Sequence, residues 1–370
     1  MKFVKFTQIL DFQKKSKMKA GEGLTSGTFP FFTSSPTLSK YTELSQFKLP
    51  SVIFGTGGSA SIHVCEKPFS VSTDCLVAQI KPELSKDFVI RFIYYYLFKN
   101  IWILEKGFKG AGLRHISKSY IENIPIPELS LEDQKRIVKI LDAADALRQK
   151  RKQAITLLDD YLKSVFLEMF GDPMLNPKKI KKAKIKDIGQ VFTGNTPPRN
   201  EAKNYGSFIE WIKSDNINNS GHYLTKASEF LSESGSKKAR IVPSGSILVT
   251  CIAGSISCIG NAGIADREVA FNQQINAIVP NSDVDQRFLY SQILFNKELF
   301  QKASTNSMKG MLNKSKFSEI ELLKPDFILQ KKYADFFLKT ESIKQKMLTQ
   351  SQELEVGFQA LMQKAFKGEL

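Results

Sequence analysis

The feature that most constrains this chain is that its second half repeats the plan of its first. Residues 117–170 lie over residues 313–366 without a gap, at an offset of 196. In that frame Ser117, Lys118 and Ser119 meet Asn313, Lys314 and Ser315, and Gln134, Lys135 and Arg136 meet Gln330, Lys331 and Lys332. Leu158 meets Leu354, Val165 meets Leu361 and Phe170 meets Phe366. The offset persists upstream, where Phe92 meets Phe288, Asn100 meets Asn296, Val52 meets Leu248 and Gly58 meets Gly254. Val77 meets Ile275 at an offset two larger, and near the start the offset is 179, so that Phe6 meets Ile185 and Ser35 meets Ser214. The second copy therefore carries about 17 extra residues, which the polar stretch 216–238 accommodates. A repeat of this kind predicts two domains of one design, each with its own core.

Each copy reads as mixed α and β structure ending in one long helix. Residues 49–54 and 242–249 are apolar runs entered through a Pro-containing turn, as strands are. Each run opens into a loop of small residues, Gly55 to Ser61 and Ala253 to Ser257. Such a loop either lets backbone approach a ligand or forms a tight hairpin; neither is a P-loop, because no Gly-Lys-Ser/Thr follows. Residues 71–81 and 272–280 are strand-like again, and 88–104 and 287–302 carry apolar residues at helical spacing. Tyr94, Tyr95 and Tyr96 in the first of these helices are assigned to packing rather than to base stacking. A basic, Gly-containing loop follows in each copy, 106–118 and 302–314.

The closing segments, 131–170 and 327–367, hold only one Gly and no Pro between them. At 1.5 Å per residue each spans about 60 Å, the length of a coiled-coil partner rather than of a globular helix. A three-four spacing predicts seams of Ile137, Ile140, Ala144, Leu147, Ala154, Leu158, Tyr161 and Val165 on one helix. On the other it predicts Tyr333, Phe336, Thr340, Ile343, Met347, Gln350, Leu354 and Leu361. Arg151 and Gln350 interrupt these seams and fix register.

Charge indicates the partner. Lys plus Arg total 53 against 37 Asp plus Glu, a formal net charge of +16, which suits a polyanion, most simply nucleic acid. No apolar run reaches the ~18 residues of a membrane span, and Lys and Asp interrupt the first segment, so neither an anchor nor a signal peptide is expected. Cys65, Cys75, Cys251 and Cys258 form no CxxC pair and are expected as reduced core residues of a cytoplasmic protein. His63, His115 and His222 are scattered without metal-ligand spacing.

Several segments together resemble the specificity (S) subunits of type I restriction–modification enzymes over essentially the whole chain. Ile124-Pro125-Ile126-Pro127 leading through Gln134 into a long helix, and Gly171-Asp172-Pro173 after it, resemble that family's exit from a target-recognition domain. Phe192-Thr193-Gly194-Asn195-Thr196-Pro197-Pro198-Arg199 resembles its entry, followed by Lys213-Ser214-Asp215-Asn216 and Phe271-Asn272-Gln273-Gln274. In the first copy the residues from Gly27 to Ser35 resemble the segment after the entry, but the entry itself is replaced by the Lys-rich run 14–19.

The resemblance implies an α+β fold of two α/β target-recognition domains, 1–127 and 173–324. Each is followed by a long helix, 128–172 and 325–370, and the two helices pair antiparallel as a coiled coil that holds the domains apart. It implies a non-catalytic protein that binds double-stranded DNA at a bipartite target and assembles with two methylase subunits and with restriction subunits. S-adenosylmethionine, ATP and Mg are expected on those partners and no cofactor on this chain. DNA contacts are expected from Thr33, Ser34, Ser35, Thr56, Gly57, Gly58, Ser59, Lys109, Arg114 and Lys118 in the first copy. In the second they are expected from Thr193, Asn195, Thr196, Arg199, Lys213, Ser214, Ser255, Ser257, Asn272, Gln273, Gln274, Lys309 and Lys314. Lys118 and Lys314 are assigned to phosphates, Arg199 and Gln273 to bases. A methylase is disfavoured because the sequence has no Asn/Asp-Pro-Pro-Tyr/Phe motif and no Gly-rich cofactor loop, and an ATP motor because it has no Walker A. A free-standing DNA-binding or coiled-coil adaptor, and the specificity subunit of a type II system with a fused methylase–nuclease, share the remaining features.

Overall fold

The computed structural model describes residues 2–217, 221–305 and 310–370. The chain divides into two compact units: residues 1–152 with 349–370, and residues 153–348. Each unit thus contains the start of one long helix and the end of the other.

Both units are built on a four-stranded antiparallel sheet of identical strand order. In the first, Leu10–Phe12, Cys75–Ile80, Ser51–Gly55 and Ser61–Cys65 lie side by side. In the second the same places are taken by Gly189–Thr193, Ile275–Pro280, Ile247–Thr250 and Ala262–Ile264. The central strands are apolar on both faces because both faces are covered. Val52 and Phe54 face a large core that includes the helix Ile90–Lys99, while Ile53 faces a smaller core with Phe32, Phe69 and Val77. Ile247 and Val249 likewise face the core of the helix Gln286–Phe295, and Leu248 the opposite one. Over the second face of each sheet lies another sheet, three-stranded in the first unit and four-stranded in the second, containing one parallel pairing, Phe31 beside Ser70 in the first and Trp211 beside Ala270 in the second. Tyr95 and Tyr96 are buried in the helix core, as packing residues are, and Tyr95 Oη donates to Asp142 Oδ1 at 2.6 Å.

Strand pairing corrects the alignment of the two copies. Phe32 and Ile212 both accept a hydrogen bond from the first residue after the parallel strand, Ser72 and Asn272, so here the offset is 180 and Ser34, not Ser35, matches Ser214. Val52 shares its face with Ile247 rather than Leu248; a slip of one residue would have turned every side chain to the wrong core. Val77 lies opposite Ile53 as Ala277 lies opposite Leu248, two residues beyond the match to Ile275.

The long helices are Leu131–Phe170 and Phe327–Ala365. In the first unit Ile137, Val138 and Leu141 join Phe358, Met362 and Ala365 in one core. In the second, Leu162, Val165, Phe166 and Phe170 join Tyr333 and Phe337. The pairing is antiparallel in each unit, but the seams differ in detail from the spacing argument. Leu147, Tyr161, Phe336 and Ile343 are exposed, whereas Leu141, Leu162, Phe337 and Lys344 are buried. The charged residue within the first unit's seam is Arg148 rather than Arg151. Its guanidinium lies 4.2 Å from the Phe358 ring centroid and pairs with Asp145 and Glu355, so a cation fills a seam position by covering an aromatic face. Lys344 pairs with Asp159 in the second unit. Among the cysteines Cys75 and Cys251 are buried and Cys65 is half-buried, but Cys258 is exposed on a loop.

One device is repeated without change. Gln134, fully buried, accepts from Val89 N–H (2.9 Å) and donates to the carbonyls of Asp87 (2.9 Å) and Leu129 (3.0 Å). Gln330 accepts from Asp285 N–H (2.9 Å) and donates to Asp283 O (3.3 Å) and Pro325 O (2.8 Å). Each glutamine ties the first turn of a long helix to the loop before the packed helix. Truncation to Ala would leave three backbone groups without their side-chain partner, a loss of about 2–4 kcal/mol. Urea unfolding should therefore show one transition weakened by Gln134→Ala and another by Gln330→Ala. A loss under about 0.5 kcal/mol in both variants would refute the clamp.

Candidate nucleic-acid interface

In the first unit the loops that leave the sheet converge on one carbonyl. Asp74 O accepts from Ser34 Oγ–H (2.7 Å), Thr56 N–H (2.8 Å) and Thr56 Oγ1–H (2.9 Å). Ser34 Oγ in turn accepts from the amides of Thr56 (3.1 Å) and Gly57 (3.2 Å). Thr56 O accepts from Ile116 N–H (3.1 Å) and lies 3.1 Å from His115 Nδ1, while Gly58 N–H donates to Arg114 O (2.9 Å). The segments 33–35, 56–59, 72–74 and 108–116 therefore form one fixed surface. Gly58 adopts φ +82°, a conformation that favours glycine, and together with Ser59 it forms the exposed tip. Thr33 and Ser35 are half-buried beside it; Thr33 Oγ1 accepts from Ser35 N–H (3.3 Å), and Ser35 O accepts from His63 Nε2 (2.8 Å). Burial lowers the pKa of His63 and keeps the ring in its neutral form.

The second unit builds the same platform from different residues. Gln274 O accepts from the amides of Cys251 (2.8 Å) and Ile252 (3.1 Å), the counterpart of the Thr56–Asp74 bond. Gln274 Oε1 accepts from Ser214 Oγ–H (3.4 Å) and from Asn272 Nδ2 (3.1 Å), and Asn272 Oδ1 accepts from Gln274 N–H (3.1 Å). The strand Ile252–Ala253 pairs with Gly310–Met311, as Gly57 bridges to His115. The entry loop closes over this platform: Thr196 Oγ1 donates to Gln273 Oε1, and Thr193 Oγ1 to Asn276 Oδ1 (2.7 Å). Asn195 is consumed in shaping the loop, donating to Lys238 O (2.6 Å) and accepting from Arg240 N–H (2.7 Å). Gly194 is required there, since a Cβ would fall 2.1 Å from Asn272 O.

Arg199 and Lys213 form a group that spacing alone did not reveal. Both pair with Glu229, and both lie over aromatic rings: Arg199 is 5.0 Å from the centroids of Tyr205 and Trp211, and Lys213 is 5.2 Å from Trp211. The Lys213 ammonium, supported by Arg199, holds the Glu229 carboxyl below the usual carboxylate range. Trp211, Tyr205 and Glu229 thus hold two of the expected site residues in place, and the sequence reading did not single them out. Glu229 falls within the extra segment of the second copy and has no counterpart to flag it.

The remaining expected residues stand around these platforms. Ser255 and Ser257 share an exposed turn, 2.7 Å between hydroxyls. Lys109 is exposed opposite His115. Lys118 and Lys314 both open a short helix capped by Ser117 or Asn313; Lys118 pairs with Glu122 (3.6 Å) and overlies Phe12. Lys309 lies outside the described residues. The Lys-rich run occupies the place of the entry loop, held by Thr73 N–H donating to Met18 O (2.8 Å). Among the described residues no group of three His, Cys, Asp or Glu side chains is arranged to hold a metal ion, and no helix is long and apolar enough to cross a membrane.

Two α/β units of one design, each presenting a polar loop platform, define a duplicated recognition protein. The family model described as the type I restriction modification DNA specificity domain matches residues 1–157 and again residues 177–355. The chain belongs to this family. It is 33% identical over 181 residues to the type I restriction enzyme HindI specificity subunit of Haemophilus influenzae, covering 46% of this chain and 38% of that protein. It is 26% identical over 230 residues to the MjaVIII specificity subunit of Methanocaldococcus jannaschii, covering 56% and 53%. The matches thus span about half or less of these relatives' lengths. The fold is shared with the type I restriction–modification S subunit from M. genitalium, with a TM-score of 0.59 at 15% identity over 98% of this chain and 95% of that one. A chain from a structure of type I system assembly and conformational transition gives a TM-score of 0.58 at 14% identity, covering 100% and 98%.

The geometry predicts that Glu229 restrains two cations. Glu229→Gln should leave Arg199 and Lys213 without a counter-charge, tighten duplex DNA binding at low salt and steepen its salt dependence by about one unit. Fluorescence anisotropy of a labelled duplex across a salt series measures this. Unchanged affinity and slope would mean that neither cation lies at the DNA.

Proposed function

We propose that this chain is the DNA-sequence specificity subunit of a type I restriction–modification complex and that each unit reads one half of a split target. The observation that carries the proposal is the pair of loop platforms, built on the same strand ends and tied by an equivalent backbone bond but bearing different exposed side chains. A rigid scaffold with variable polar tips suits direct readout of base edges. In the first unit Thr33, Ser34, Ser35 and the tip from Thr56 to Ser59 approach bases, with Lys109, Arg114 and Lys118 on phosphates. In the second, Thr193, Thr196, Arg199, Lys213, Gln273 and Gln274 approach bases, aided by Ser214, Asn272, Ser255 and Ser257. Asn195 shapes the loop, and Lys309 and Lys314 meet phosphates.

On this reading the chain positions catalysis without performing it. Two methylase subunits bind the complex and flip the target adenine, restriction subunits cut, and S-adenosylmethionine, ATP and Mg belong to those partners. The complex works in the cytoplasm, where the DNA is. The long helices act as a spacer between the half-sites, whose centres lie about one DNA turn, ~34 Å, apart.

Because the helices pair antiparallel, a spacer change must be made in both. Inserting four residues after Arg151 and four before Gln350 lengthens each helix by about 6 Å and rotates its far end by about 40°. Methylome sequencing should then find both half-site sequences intact and the unread spacer longer by one or two base pairs, at ~3.4 Å per pair. A single unbroken target, or an unchanged spacer, would refute the reading.

A further inference from the structure

The first unit carries a groove beside the exposed Gly58 tip. It has a volume of about 550 Å³ and runs between Trp102 on one wall and Gly58 and Ser59 on the other. Trp102 is 49% exposed, unusual for the largest apolar side chain. Lys106 lies over its indole, 4.4 Å from the ring centroid. Arg114 enters from the third side, with Nη2 donating to Phe108 O at 3.2 Å, and Glu105 stands at the lip. In the gapless frame Trp102 meets Glu298, and Lys106 meets Lys302, which pair with each other at 3.6 Å. The second unit therefore has a neutralised ion pair where the first has an aromatic wall and a cation.

We propose that this groove cradles the sugar–phosphate backbone of one DNA strand. The inference rests on the DNA-binding reading above. It adds Trp102 and Lys106 as contacts and makes the grip on DNA asymmetric between the half-sites. The groove opens beside the Gly58 tip, so a strand whose bases meet the tip passes its backbone along the groove. The exposed indole face takes the apolar side of a deoxyribose, and Lys106 and Arg114 take the flanking phosphates. The tip at Gly58, where a side chain would meet no atom within 4 Å, leaves room for that approach. Glu105 opposes phosphate, and the two cations outweigh it. Such a contact carries no base information, so it holds the first half-site more tightly whatever its sequence.

The chain has two tryptophans, and Trp211 is buried, so collisional quenching reports mainly on Trp102. The probe is a mixed-sequence duplex of about 30 base pairs, roughly three turns, added to the full chain. Bound DNA should protect the fluorescence from acrylamide. Trp102→Ala should weaken binding about five-fold, Trp102→Phe should keep most of the affinity, and Lys106→Ala should lower the salt slope by about one. If wild type binds the duplex with quenching unchanged, or if Trp102→Ala binds as tightly as wild type, the cradle is wrong and the DNA-binding reading stands. If wild type binds no duplex, that reading fails and the cradle with it.

Discussion

The structure depends on an exchange of helix ends. Phe366, near the end of the chain, packs on Phe92 with ring centroids 5.7 Å apart. Phe170, at the same place in the repeat, packs on Phe288 at 4.8 Å. In sequence each long helix follows its own domain, yet its last turns complete the core of the other copy. Phe358, Met362 and Ala365 belong to the core of the first unit, and Leu162, Val165, Phe166 and Phe170 to that of the second. Burying a side chain of this size contributes about 1.5–3 kcal/mol, so the exchanged turns supply a large share of a marginal domain stability. Neither half of the sequence holds a complete core.

From that constraint the arrangement of the loops follows. The helix Ile90–Lys99 or Gln286–Phe295 is held between sheet and long helix, with Gln134 or Gln330 setting its entry. The sheet then has one face committed to the helices and the other to a second sheet. Only the strand ends remain free to vary, and there Asp74 O and Gln274 O gather loops of different sequence into platforms of the same plan.

Much of this was legible in the sequence. The long helices appear where Pro is absent and Gly357 is the one Gly, and the repeated pairs Phe92 with Phe288 and Phe170 with Phe366 proved to be structural equivalents. The exchange itself was not legible, because a repeat states which residues are equivalent and not which copy they pack against. The alignment failed by one residue at Val52 because Ile247 and Leu248 are equally apolar; only pairing register separates two buried faces. The seams failed at Ile343 and Leu147, where the neighbouring Lys344 and Arg148 turn inward through ion pairs and a ring contact that apolar spacing does not register, and at Phe336, where the equally apolar Phe337 is the buried residue. Of the candidate site, the polar loops were found, but Glu229, Tyr205 and Trp211 were missed because tertiary contacts alone bring them to Arg199 and Lys213. Trp102 was read as part of a packing helix, but it is exposed and shares a groove with a loop more than forty residues earlier.

The exchange of helix ends is tested most directly by hydrogen exchange on a chain ending at Leu348, which removes only the turns assigned to the first unit's core. The account predicts that amides of the strands Ser51–Gly55 and Cys75–Ile80 lose protection while those of Ile247–Thr250 and Ile275–Pro280 keep theirs. Equal protection of the two sheets, or loss confined to the second, would contradict it.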